Sequence, residues 1–342
     1  MALFSRRRTT VGLDIGSGFV KLTLVDHGGD GPEVGGVAVR RTPAGAIVDG
    51  EVVERKPIAD TVRELMREAG AGSREVVVAM SGHDVFIKKV DIPRMKEVEA
   101  LRMMRREAGR HVPFDLEGVH LDCQILRPRD EGARMEVLLA AARRERVEDR
   151  TSLLAEAGVR IAVMDVEAFA LHNAFTHNYP EAGDGIVALV DVGHRFTNLN
   201  VIEGGIPVLT KELPLGSRNV AESLQREYGL SGGEAERVLQ GRQPMEGIQR
   251  VVADGVATGI KRASAYLGGR RSGAGIGRIF LSGGGACMPG MAEALAQRVK
   301  IETRLVNPFE RVPLRAGVRE PGVLARAAPM LLLPVGLALR AS

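Results

Sequence analysis

The sequence has no tryptophan, three tyrosines and two cysteines in 342 residues. Its 47 Lys and Arg are nearly balanced by 43 Asp and Glu, leaving a formal charge of +4. A nucleic-acid surface calls for a clustered basic stripe and stacking side chains, so nucleic-acid binding is not expected. Cys123 and Cys287 stand far apart, without CxxC or Cys/His spacing, and the seven histidines are scattered. This pattern argues against a structural zinc site or a disulfide framework and suits a reducing cytoplasm. Long apolar runs are also missing. The stretch 327–339 is interrupted by Pro329 and Pro334, and a membrane span needs ~20 apolar residues. The basic cluster Arg6-Arg7-Arg8 leads straight into a strand pattern and does not read as a signal peptide. A soluble chain without direct membrane insertion is expected.

What is present is an ordinary globular composition, 44% apolar and 26% charged, in a chain long enough for two lobes. Residues 10–25 read as two strands around a glycine turn, and Asp49-Gly50 predicts a tight turn between short extended pieces. Pro57 predicts a helix start, running to about Ala69, and strands follow at 75–80 and 85–90. A helix over 95–111 would turn Val98, Leu101, Ala108 and Val112 to one side, with Arg102, Arg105, Arg106 and Arg110 on a solvated face or, as the alternative, a docking surface for an acidic partner. Strands at 119–126, 135–142 and 161–164 alternate with helices at 147–157 and 166–175. Helices are expected again over 220–228, 231–239 (opened by Ser231 and Glu234), 248–267, 291–300 and 335–340, with a strand at 278–281.

The most informative feature is an echo. An apolar strand ending in Asp14-Ile-Gly16 is followed by a polar turn and a second strand. The same design returns at Asp191-Val-Gly193. Two copies of one supersecondary unit, one in each half, suggest two related lobes facing a cleft. A third glycine cluster, Gly283-Gly284-Gly285, lies between a strand and a helix. Phosphate oxygens are held well by backbone N–H groups, which side chains would crowd, so glycine belongs where the chain approaches them. Asp14 and Asp191 would face each other across the cleft and orient the water shell of a Mg²⁺ bound to phosphates. Lys21 could reach back as a counter-charge. The flat 283–285 surface, near a helix N-terminus, suits an adenosine. Each cluster alone reads as an ordinary turn. Three in this order, each after an apolar strand, point to a nucleotide.

These clusters resemble the phosphate-1, phosphate-2 and adenosine motifs of the actin-like ATPase superfamily. Within it the chain is similar to the PilM family of type IV pilus assembly, and more distantly to the cell-division protein FtsA. The match spans VGLDIGSGFVKL (11–22), GAIVDGEVV (45–53), HVPFDLEGVHLDCQIL (111–126), MDVEAFALHNAF (164–175), DVGHRFTNL (191–199), LSGGGACMPGM (281–291) and VGLALR (335–340). The resemblance implies an α/β actin-like fold with two lobes of duplicated ribonuclease H-like subdomains and an extra FtsA-type subdomain. Its parts would be 1–83, 155–184 and 326–342 (core of lobe I), 84–154 (extra subdomain), 185–215 and 275–325 (core of lobe II), and 216–274 (the second subdomain of lobe II). It implies ATP or ADP with Mg²⁺, held by Asp14, Gly16, Ser17, Gly18, Lys21, Asp191, Gly193, Thr197, Asn198, Gly283, Gly284 and Gly285. It also implies a partner, the cytoplasmic N-terminal peptide of a PilN-like inner-membrane protein, with pilus motor ATPases as further candidates, and a location at the inner membrane through those partners.

Departures matter. Asn198 stands where the chaperone-type loop carries a second carboxylate, and His194 and Arg195 replace small residues; they could contact phosphate, but outward side chains, with the backbone doing the binding, are the expected arrangement. Glu167 stands where some relatives orient the attacking water and is the candidate catalytic residue. Binding is therefore better supported than rapid hydrolysis. A small-molecule kinase remains open, with Asp165 or Glu167 as base. So does an FtsA-like filament protein, although the amphipathic tail it would need is not expected beyond Arg340.

Overall fold

The computed structural model describes residues 9–29, 31–72, 75–80, 84–128, 133–243, 245, 247–268, 275–318 and 321–340. The basic cluster at 6–8 and the chain end at 341–342 lie outside the described residues.

The alternating residues after Thr9 form antiparallel strands β1 (Thr9–Ile15), β2 (Phe19–Asp26) and β3 (Glu33–Arg41). A short hairpin of β4 (Ile47–Val48) and β5 (Glu51–Val52) turns at Asp49 and Gly50, both at positive φ, as the Asp-Gly pair predicts. Helix α1 (Arg55–Glu68) starts two residues before Pro57. The proline is tolerated there because first-turn N–H groups have no helical acceptor. Then come β6 (Glu75–Met80), β7 (Val85–Pro93), α2 (Glu97–Glu107), β8 (Val119–Pro128), β9 (Arg134–Arg143), α3 (Arg144–Glu156), β10 (Arg160–Val166) and α4 (Glu167–Asn178). The second half runs β11 (Ile186–Val192), β12 (Thr197–Glu203), β13 (Ile206–Leu213), α5 (Ser217–Tyr228), α6 (Gly232–Leu239), α7 (Arg250–Gly268), β14 (Arg278–Ser282), α8 (Met291–Val299) and β15 (Glu302–Leu305). Helices α9 (Pro321–Ala327) and α10 (Leu332–Leu339) close it.

The echo is architectural. One five-stranded sheet has the order β3-β2-β1-β6-β10 and the other β13-β12-β11-β14-β15. Each is an antiparallel meander with two later strands added beside its first strand. The parallel pairs β1–β6 and β11–β14 occupy equivalent places. The two sheets, each with its flanking helices, make two lobes.

Between them lies α10. All of Leu332–Ala338 is buried, as expected of a helix that is apolar all round. Leu332, Leu333 and Leu337 share one core with Leu171 and Phe175 of α4, Val187 and Leu189 of β11, and Phe280 of β14. The approach is close enough that a side chain at Gly12 would run into the Pro334 carbonyl, and one at Gly336 into the Ala170 carbonyl. Lobe II has its own core where α5, α6, α7 and α8 cover its sheet.

Residues 80–156 form a separate compact unit. Its sheet has the order β7-β9-β8. β7 continues through Asp91-Ile-Pro93, where the sequence suggests a break, because an edge strand can spare the proline's missing donor. Helix α2 is shorter than expected and ends in a 3-10 turn at Ala108–Arg110. Its buried stripe is Ala100, Met104 and Ala108, continued by Val112, whereas Val98 is 59% exposed. Arg102, Arg105, Arg106 and Arg110 are all exposed.

Candidate functional site

The two hairpin turns repeat in atomic detail. In β1–β2, Asp14 pairs with Lys21 and the Gly16 N–H donates to the Phe19 carbonyl at 3.1 Å. In β11–β12, Asp191 pairs with Asn198 and the Gly193 N–H donates to the Phe196 carbonyl at 2.9 Å. Lys21 and Asn198 thus hold equivalent places, as do Phe19 and Phe196. Added side chains at Gly16 and Gly193 would press on those carbonyls, at 3.0 and 2.7 Å. Gly16, Ser17, Gly18 and Gly193 are all partly exposed.

Each turn is clasped differently. Thr42, just past β3, donates its hydroxyl to the Gly16 carbonyl at 2.6 Å and its N–H to the Gly18 carbonyl at 3.1 Å. The first turn of α5 holds the second hairpin: the Ser217 and Arg218 N–H groups donate to the Gly193 and His194 carbonyls at 3.0 and 2.8 Å. The turns also meet, since a Cβ on Gly18 would lie 2.8 Å from the Cβ of His194.

The charged side chains converge. Lys21 Nζ lies 2.5 Å from Asp14 Oδ2. Burial pulls the lysine pKa down, but the charges of Asp14, Asp191 and Glu167 outweigh it and hold the ammonium above its ordinary value. Asp191 is pushed above the usual carboxylate range, first by burial and further by Asp14. The Lys21 charge and the Ser282 hydroxyl, which donates to Asp191 Oδ1 at 2.8 Å, hold it back. Asn198 Nδ2 donates to Glu167 Oε1 at 2.8 Å, so the neutral replacement in the second loop steadies the carboxylate at the start of α4.

Not every sequence-selected residue reaches this cluster. Thr197 is fully buried and donates its hydroxyl to the Leu215 carbonyl at 2.8 Å, a bond internal to lobe II. In the glycine triplet, a side chain at Gly283 would strike the backbone of Val192 and one at Gly285 its side chain. Gly283 also sits at φ +87°, which favours glycine. Those two glycines let the third loop pack against the end of β11. Gly284 is the partly exposed one, with the Phe19 ring 3.9 Å from where its Cβ would be.

Arg195 points away from the carboxylate cluster, with Nη2 2.5 Å from Asp49 Oδ1. His194 bonds Ser217 Oγ through Nδ1 at 3.1 Å. Its pKa is lowered, by burial first and then by Arg218, Arg41 and Arg195, so it carries no charge at neutral pH. Asp165 is buried, paired with Arg340 at 2.8 Å, and accepts the Val166 N–H through its other oxygen. Ser282 opens the glycine triplet in the sequence, whereas nothing local marks Thr42 or Ser217.

The site fits a nucleotide polyphosphate: two glycine turns approach each other beside one ammonium and three carboxylates. Among the described residues no group of three or more His, Cys, Asp or Glu could hold a metal ion directly. A Mg²⁺ here would be held by phosphate and water, with Asp14 and Asp191 in the outer sphere. No described helix is long and apolar enough to cross a membrane.

Comparison with known proteins agrees with this geometry. The family model described as type IV pilus assembly protein PilM matches residues 12–342. A chain of the solved PilM-PilN type IV pilus biogenesis complex is 30% identical, with a TM-score of 0.86 and 98% of each chain covered. The ethanolamine utilization protein EutJ from Carboxydothermus hydrogenoformans shares the fold, at 19% identity and a TM-score of 0.58, over 98% of this chain and 90% of that one. Cell division protein FtsA of Bacillus subtilis (strain 168) is 24% identical over 252 residues, 67% of this chain and 56% of its own length. The chain therefore spans little more than half of that relative. With an actin-like two-lobe fold and a family match over nearly its whole length, the chain belongs to the PilM family of type IV pilus assembly proteins.

Proposed function

We propose that the chain is an actin-like scaffold that binds ATP or ADP with Mg²⁺ in the cleft between its lobes. In this reading it engages the cytoplasmic N-terminal peptide of a PilN-like inner-membrane protein in a nucleotide-linked manner. Its place is cytoplasmic, held at the inner membrane by partners, among which pilus motor ATPases are further candidates. The observation that carries the reading is the pair of matching hairpin turns whose aspartates, Asp14 and Asp191, act on the single ammonium of Lys21.

The residues divide the work. The Ser17 and Gly18 amides of the first turn, and those of the residues after Gly193 in the second, face phosphate oxygens with Lys21 as counter-charge, while the Gly16 and Gly193 amides close the turns themselves. Asp14 and Asp191 would hold the water shell of a Mg²⁺ that would neutralise phosphate charge. The partly exposed Gly284 offers a flat surface to the adenosine. Glu167 orients water for a slow hydrolysis, while Asn198 steadies it without adding a second negative charge. Subdomain cores at 1–83, 155–184 and 326–342, and at 185–215 and 275–325, frame the cleft. The 216–274 segment completes lobe II, and 84–154 is the extra subdomain.

Calorimetric titration with ATP and Mg²⁺ tests this, repeated on Asp14→Ala and Asp191→Ala. The expected result is saturable binding that weakens at least about tenfold in both, since each removal takes away a group aimed at the metal–phosphate unit. PilN-like peptide should then bind with different affinity in the ATP, ADP and nucleotide-free states. A well-folded wild type that takes up no nucleotide would overturn the reading.

A further inference from the structure

Around the mouth of the cleft the two lobes grip each other by a reciprocal arrangement. Phe19, in the first turn, pairs in register with Arg41 at the end of β3, and the Arg41 guanidinium lies 5.1 Å above the Phe19 ring. Arg41 then crosses to lobe II and pairs with Glu236 of α6. In the second turn the Arg195 guanidinium lies 5.6 Å above the Phe196 ring. Arg195 crosses the opposite way, to Asp49 at the tip of the β4–β5 hairpin of lobe I. Each lobe therefore contributes one arginine, resting on the phenylalanine of its own turn, and one carboxylate. Gly18 and His194, in the same two turns, also approach each other closely.

We propose that these two crossed ion pairs form an electrostatic latch over the cleft, which holds the lobes closed and sets the rate at which a bound nucleotide leaves. The lobes cannot separate at the turns without breaking both pairs. An isolated exposed ion pair contributes little, because two free side chains must be ordered to make it. Here the rings order both arginines in advance, through cation–π contact. The Arg195 side chain is 18% exposed and has little other freedom, whereas that of Asp49 is 76% exposed on a two-residue tip. Mobility at the hairpin is the natural way to open the latch. Both pairs lie at the surface, so salt weakens them. The latch rests on the reading of the cleft as a nucleotide site, but the closure it describes exists without the nucleotide.

The test uses the full chain with Asp49→Asn, Glu236→Gln and the double variant. Asparagine tolerates the positive φ at position 49, and both changes remove charge with little change of shape. Release of a fluorescent ATP analogue, chased with unlabelled ATP, is timed at low and at high KCl. Two lost pairs at the strength of exposed ion pairs correspond to release roughly three- to tenfold faster in the double variant. Salt should speed release from the wild type and scarcely affect the double variant. Hydrogen exchange at 16–19 and 193–196 is followed in parallel without nucleotide and should quicken in the double variant. Equal release rates at both salts together with unchanged exchange would overturn the latch. A wild type that never binds the analogue would overturn the nucleotide reading instead, and the exchange data would then decide the latch alone.

Discussion

Asp191 is buried, bonded to Ser282, and shares the charge of Lys21 with Asp14. Burial is the largest cause of its raised pKa, so ionising this carboxyl costs more in the folded protein than in the unfolded chain. A carboxyl whose folded pKa exceeds its unfolded value favours folding at low pH, and that contribution is lost as pH rises through the folded value. Asp191→Asn should therefore match the wild type in stability below the unfolded pKa. It should become the more stable of the two as pH rises through the acid range and keep that advantage at neutral pH, even as nucleotide binding weakens. Thermal melts from about pH 3 to 7.5 check this. A variant less stable than wild type at neutral pH would mean that the Lys21 and Ser282 contacts outweigh the burial cost. A stability gain bought by losing a functional charge is the usual signature of a binding site.

At the scale of elements, α10 shows how close packing is written into single residues. Nothing local explains why Gly12 interrupts a β-strand or Gly336 an apolar helix, since glycine weakens both. The reason is the meeting of β1, α4 and α10, where carbonyls occupy the space a side chain would need. Gly336→Ala should cost about 1–3 kcal/mol, the usual penalty for overpacking a filled core. Gly233→Ala, at a helix position with nothing within 4 Å of the added carbon, should be near neutral or mildly stabilising. Urea denaturation of the two variants separates these outcomes. Equal stabilities would show that α10 moves aside at little cost.

Elements also differ in how legible they were. The hairpins β1–β2 and β11–β12, the Asp49-Gly50 turn and the Ser231–Glu234 capping box could all be read from the chain, because alternation, turn residues and caps act over a few residues. Strands β3, β13 and β15 were not read. β3 carries Gly35-Gly36, β13 carries Pro207, and β15 spans only Glu302–Leu305. Each is an outer strand of its sheet, held by pairing with its neighbour more than by its own pattern. On α2 the apolar residues occur on several sides, and only the sheet beneath selected Ala100, Met104 and Ala108 over Val98.

For the whole molecule, the duplicated architecture means that a ligand touching both turns ties the lobes together. ATP with Mg²⁺ at a hundred times its dissociation constant should stabilise the protein by about 2.7 kcal/mol, by mass action alone. Hydrogen exchange should show the added protection at 16–18, 193–198 and 283–285, at the ends of strands from both sheets. Protection limited to one lobe would mean that the ligand sits on that lobe and does not span the cleft.

The sequence by itself determined the α/β class, the repeated strand–turn–strand unit, the glycine clusters and the two aspartates, and through its resemblance the family. All of these are carried by short stretches of chain, where neighbouring residues dictate conformation. The tertiary structure alone decided which side chains answer one another. It joined Ser282 to Asp191, Asn198 to Glu167, Arg340 to Asp165, and the crossing arginines to Asp49 and Glu236. It also turned Gly283 and Gly285 from an open ligand surface into packing contacts with Val192. Such partners lie far apart along the chain. No local pattern encodes them, because they meet only where the packing of α10 and the two sheets brings distant backbone together.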